Sequence, residues 1–352
     1  MHEPNHSFDS LRAVLPRGVY KTSYVWALGL TSAVLILQFT LIWLCYQANS
    51  LGILLIFSIA RGLAIGPVFI VGHDACHDSL SPSSKLNYWL GQLCFLPSWH
   101  SFTAWKVRHN HIHHRHTNLR ELDSGYPPKT ASEYAAATKL EKWRYRASRT
   151  PLGAGLLYLP EVFHHQLLPN QASRKSYQKV DARFTFERWL VRLYITLELA
   201  LLSGALAALG LINPPPMGGL WVLGCTFFLS HAIWLWQMGF TTFLHHFHPD
   251  IAWYSSDSDT TQSAAQRQLV STVHVDLKTV HNLMLNIFVH TAHHIDTAIP
   301  LYRLRKAQLA LQAQFKTQIT RYTFSLKRSL ACFSVCKLWD DKANRWRGYE
   351  KA

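Results

Sequence analysis

Long apolar runs alternate with long polar, basic stretches along the chain. Tyr24–Tyr46 and Leu51–Val71 each approach the ~20 residues needed to cross a bilayer, and the uncharged Gln47–Ser50 joins them. Trp189–Ile212 and Leu220–Phe243 form a second such pair, joined by Asn213-Pro-Pro-Pro-Met-Gly-Gly219, a turn made of helix breakers. Leu86–Trp105 is apolar but interrupted by Gly91, Gln92, Pro97 and His100, which predicts an interfacial or half-inserted helix. Within the polar region 106–188, the short apolar stretch Leu156–Leu168 is expected at the membrane surface. The pattern predicts an all-α integral membrane protein with a helical cap. It forms one domain over 1–352, with spans at about 24–46, 51–71, 189–212 and 220–243.

Charge orients these spans. Residues 1–23 carry Arg12, Arg17 and Lys21, and the run that follows is too long for a cleavable signal and lacks a small-residue cleavage pattern. Neither short connector contains Lys or Arg, whereas the N-terminus, the central region and the tail from Arg303 to Lys351 hold nearly all of them. The positive-inside rule then puts both termini, region 72–188 and region 244–352 in the cytoplasm.

Composition agrees with a membrane protein. Charged residues make up only 16% of the chain and hydrophobic ones 49%, while mean hydropathy near zero requires the apolar residues to be segregated into blocks. A net charge of +15 admits nucleic acid, anionic lipid or an acidic protein as partner. Nucleic acid is disfavoured, because the basic residues flank membrane segments. The six cysteines show no framework spacing and read as free thiols in a reducing compartment, although Cys332 and Cys336 could share a helix face.

The chemistry is concentrated in histidine. Five histidines fall within the eight residues His109–His116. His73 and His77 lie upstream, and His290, His293 and His294 far downstream. Spacings of three and four residues put the rings of each cluster on a common helix face. Crowded imidazoles repel if protonated, so neutral rings held by metal are the reading that fits all three clusters. Histidine without accompanying cysteine disfavours structural zinc, and the spacing alone admits Zn, Cu, Fe or Ni. Eight imidazoles exceed the needs of one ion and suit two ions with positions left open.

The clusters HxxxH, HxxxHH and HxxHH, in that order and flanked by paired spans, resemble the three histidine boxes of the membrane fatty acid desaturases. Gly72-His-Asp-Ala-Cys-His-Asp78 is similar to the first box, and His113-His-Arg-His-Thr-Asn118 to the second box of acyl-lipid omega-6 (Δ12-type) members. Phe243-Leu-His-His-Phe-His-Pro249 resembles their segment after the fourth span, and His293-His-Ile-Asp-Thr-Ala-Ile-Pro-Leu-Tyr302 their third box and its exit. The likeness covers roughly residues 65–310. One departure is that the second box reads HxxxHH where many omega-6 members read HxxHH, which leaves His111 and His116 as alternatives to His109.

The resemblance implies a pair of iron ions, O2 as co-substrate, and a cis double bond inserted into a lipid-linked fatty acyl chain. It implies as ligands His73, His77, His109, His113, His114, His290, His293 and His294, with His246 as a ninth and His245 standing where glutamine is usual. Glu121 and Asp123 become candidate acceptors for imidazole N–H groups, or else a solvated acidic turn. With no His-Pro-Gly-Gly haem signature or flavin-type loop in the chain, electrons are expected from a separate ferredoxin or cytochrome b5 type donor, for which a basic face is suited. A di-iron hydroxylase or ketolase acting on a carotenoid or alkane would use the same boxes. A metal transporter would need polar residues lining the spans, which offer few.

Several residues fall outside that scheme. His164 and His165 read as interfacial and His231 as a packed histidine within a span. Trp26, Trp43, Trp99, Trp221 and Trp253 mostly suit interface belts, with an acyl tunnel the alternative for some of them. Arg61 and Glu198 lie inside spans, where isolated charges are costly, so they are expected to pair.

Overall fold

The computed structural model describes residues 5–160, 181–255, 262–278 and 282–349. His164, His165 and the part of Leu156–Leu168 beyond Pro160 lie outside them. The described chain is mostly helical and divides into two compact units. One comprises residues 1–22, 106–157 and 239–352, and the other residues 23–105 and 158–238.

Among the described residues, three helices are long and apolar enough to cross a membrane: Tyr24–Gln47, Leu51–Cys76 and Gly219–His246. Ser23 and Ser50 cap the first two through their side chains, each satisfying a backbone N–H that the first turn leaves without a partner. The third contains a π-helical segment, Leu223–Leu229. Residues 189–212 are not one helix. A helix runs from Asp181 to Leu202, Gly204 turns the chain at φ +80°, and a four-residue helix follows at Ala205–Ala208. Six acidic or basic residues, among them Glu187, Arg188, Arg192 and Glu198, also keep Asp181–Leu202 out of the apolar class.

The second unit packs its helices closely. A Cβ at Gly62 would come within 2.6 Å of the Ser230 carbonyl oxygen, so glycine lets the two backbones approach. Phe69 is the centre of an aromatic group, with ring centroids 5.2 Å from Phe95 and 5.0 Å from each of His100, Trp105 and Trp234. One turn further along the same helix comes His73. Arg61 is fully buried and pairs with Glu198, as expected, and also donates to the Thr226 carbonyl in the π-helical segment. His231 bonds the Phe227 carbonyl at 2.7 Å and stacks on Trp99 at 3.9 Å, so it is a packed histidine.

The belt assignment needs correcting. Trp26, Trp43 and Trp221 are more than half exposed, but Trp99 and Trp253 are buried. Both pack against other rings: Trp99 against His231 and Trp253 against Phe247 at 5.2 Å.

The first unit corrects the all-α expectation. Val273–Asp276 pairs in parallel with Thr320–Thr323, and Leu338–Asp340 pairs antiparallel with Arg345–Arg347. Both pairs are short and serve a core of Phe243, Phe247, Trp253, Phe333, Trp339 and Trp346. Phe243 and Phe333 stack at 3.8 Å, which fixes the C-terminal helix Leu326–Val335 against the end of helix Ser230–His246. All six cysteines are buried, and burial pushes the Cys332 thiol up to about 11.

Candidate metal centre

The second box lies on a widened helical turn. Val107–His113 is π-helical, and the His114 N–H donates to the His109 carbonyl five residues back. An α-helix stacks side chains four residues apart, whereas this turn stacks those five apart. It thus absorbs the extra residue of HxxxHH, and His109 Nε2 comes to 3.0 Å from His114 Nε2. His111 is exposed and His116 half-buried, and neither joins a ligand group among the described residues. Of the three candidates, His109 is the one that joins a group of imidazole nitrogens among the described residues.

The third box is the short helix His290–Ile295, held from several sides. Val289, just before it, bridges His274 in the strand Val273–Asp276. The Ala292 N–H donates to Gln308 Oε1 at 2.9 Å, and Thr291 and Thr272 share a hydrogen bond of 3.1 Å. Just beyond the box, Asp296 pairs with Arg12 at 2.8 Å and accepts from the Tyr20 hydroxyl at 3.1 Å. The N-terminal segment is thereby tied to the box.

Within this unit two groups of imidazole nitrogens form. His113, His246, His290 and His294 are all buried, and one nitrogen of each lies within 4.8 Å of the others. His246 Nε2 is 2.9 Å from His290 Nε2, which is 2.9 Å from His294 Nε2. Lone pairs that close repel unless a proton or a cation lies between them. Two nitrogens bound at right angles to one ion at ~2.0–2.1 Å stand ~2.9 Å apart, so this is the spacing of neighbouring ligands. Burial first, and neighbouring imidazoles second, hold His290 and His294 well below the usual imidazole range. Both rings are therefore neutral at neutral pH, with a lone pair to give. His109, His114 and His293 form the second group in the same unit. In the other unit, His73 and His77 lie with ring centroids 4.8 Å apart at the end of helix Leu51–Cys76. A donor set of neutral imidazoles fits iron and its neighbours in the first transition row.

The residues around the groups sort clearly. His245 stacks flat on His290 at 3.8 Å, and His248 accepts the Asp250 N–H; neither belongs to a ligand group among the described residues. Asp123 is buried and accepts from His113 Nδ1 at 2.8 Å, Asn118 N–H at 2.7 Å and Gly125 N–H at 2.7 Å. Glu121 is exposed and meets Arg120 and Ser255 instead, so it is the solvated member of that acidic turn. The sequence reading missed Gln268, a buried residue 2.6 Å from His294 Nδ1, because it lies outside every box and no spacing marks it.

A family model described as fatty acid desaturase matches residues 48–325, most of the chain. The chain belongs to the fatty acid desaturase family. Among its relatives is the sn-1 oleoyl-lipid 12-desaturase of Picosynechococcus sp., 29% identical over 97% of this chain and 92% of the relative. The chloroplastic omega-6 fatty acid desaturase of Arabidopsis thaliana is 26% identical over 80% of this chain and 58% of the relative. The sn-1 acyl-lipid omega-3 desaturase (ferredoxin) of a Nostoc sp. is 28% identical over 73% and 67%. This desaturase is an oxidoreductase that acts on fatty acyl chains, and its two histidine groups lie within the region that the family shares.

Proposed function

We propose that the chain is an oxygen-dependent acyl-lipid desaturase of the Δ12 type, with two irons held by nine histidines. His113, His246, His290 and His294 would hold one ion. His109, His114 and His293 would hold the other, and the family resemblance adds His73 and His77 to the ligand set. The observation that carries this reading is the chain of 2.9 Å Nε2–Nε2 separations among three buried imidazoles. Bound there, the iron pair supplies the O2 activation that removes two hydrogens from adjacent methylenes. The balance is two hydrogens from the acyl chain and two electrons with two protons from outside, reducing O2 to two waters.

The protein's own residues hold and shield the site. Asp123 keeps the proton of His113 on Nδ1, so that Nε2 faces the site. Burial of His113, His246, His290 and His294 excludes water, which protects a reactive centre from side reactions. The outside electrons call for a ferredoxin or cytochrome b5 type donor, and the net charge of +15 suits an acidic one. Relatives named for oleoyl-lipid and omega-6 substrates support the Δ12 assignment. Four spans, with both termini and the histidines cytoplasmic, and the whole chain acting as one catalytic domain, complete the proposal.

Expression in a desaturase-deficient host with a compatible donor, followed by mass spectrometry of its lipids, tests this. A new double bond at carbon 12 of an esterified 18-carbon chain is expected. Gain of oxygen without loss of hydrogen would point to a hydroxylase and overturn the reading.

A further inference from the structure

We infer that Gln268 is a positioning residue for the four-histidine group, fixing the tautomer of His294 while tying the third box to the second. The inference rests on the ligand assignment proposed above. Gln268 is 2% exposed and lies on the helix Ala264–Val270, which Ser263 caps. Its side-chain amide N–H donates to the His114 carbonyl. A carbonyl only accepts, so the amide orientation follows from chemistry: the nitrogen faces His114 and the oxygen faces the other way. That oxygen is 2.6 Å from His294 Nδ1.

A second oxygen makes the same point. Thr117 Oγ1 lies 3.3 Å from His294 Nδ1, but its proton is given to the His113 carbonyl at 2.8 Å. His294 Nδ1 thus faces two acceptors and must carry the ring's proton. Its Nε2 is left with a lone pair, directed at the nitrogens of His290 and the rest of the group.

The consequence is an unequal pair of supports within one ligand group. His113 donates to a carboxylate, Asp123, whereas His294 donates to a neutral amide. A carboxylate draws the Nδ1 proton harder and makes the ring a stronger electron donor than an amide does. Gln268 therefore sets one ligand of the group weaker than its neighbour and keeps the orientation of both boxes in a single side chain.

The test uses the purified full-length protein loaded with 57Fe, read by Mössbauer spectroscopy and by the rate of iron release to a chelator. Gln268→Met fills the space without either hydrogen bond. It is expected to change the doublet of one iron more than that of the other, and to release one iron ~10–100-fold faster. Gln268→Glu keeps an acceptor at His294, and should hold both irons near the wild-type rate with the same doublet shifted the more. Should Gln268→Met fail to fold, Gln268→Glu decides: a shifted doublet supports the inference and an unshifted one overturns it. Wild-type spectra and release in both variants, or equal change at both irons, also overturn it. So does loss of iron from Gln268→Glu as great as from Gln268→Met. A wild-type protein with no iron pair overturns the ligand assignment, and this inference with it.

Discussion

At the scale of single residues, chemistry alone marked much of the site. The histidines were legible because their spacing repeats in three places, and the expected Arg61–Glu198 pair because two charges inside apolar runs need each other. What could not be read was direction. Nothing in the sequence separates Asp123, which accepts from His113, from Glu121 two residues earlier, which faces solvent. Gln268 was invisible for the same reason: its partner is brought to it by folding and not by spacing. The ion pair gives a sharp expectation. Removing one buried partner strands the other and costs ~3–5 kcal/mol, whereas removing both leaves no uncompensated charge. Arg61→Leu and Glu198→Leu together should therefore cost less than the sum of each alone, measured by unfolding in detergent. Strict additivity would mean that the two charges are uncoupled.

At the scale of elements, long apolar helices were read well and local irregularities poorly. The spans expected at 24–46, 51–71 and 220–243 correspond to helices Tyr24–Gln47, Leu51–Cys76 and Gly219–His246. The run 189–212 continues apolar across Ser203–Gly204, so hydropathy gave no sign of the break that the left-handed Gly204 makes there. The π turn was equally silent, since HxxxHH is compatible with an α-helix by spacing alone. Its structural role makes a prediction. Deleting Asn110 converts the box to HxxHH, and an ordinary α-turn would then put His109 in register with His114. Bound iron per chain should persist in this deletion and fall when an alanine is inserted after Asn110. A deletion as poor in iron as His109→Ala would show that the widened turn is needed for another reason.

At the scale of the whole molecule, the proposed topology follows from where Lys and Arg lie. Reporters fused at residue 1, near residue 140 and at residue 352 should all read cytoplasmic, and one within Pro214–Gly218 should read the opposite side. A signal from the far side at residue 140 would overturn the span count and separate the histidine boxes. The central claim is that nine histidines hold two irons, and iron quantification on the purified chain addresses it most directly. Wild type is expected to carry two irons per chain, His245→Gln to keep both, and His246→Ala to carry fewer. Zinc in place of iron, one iron or less in wild type, or a full complement in His246→Ala would contradict it.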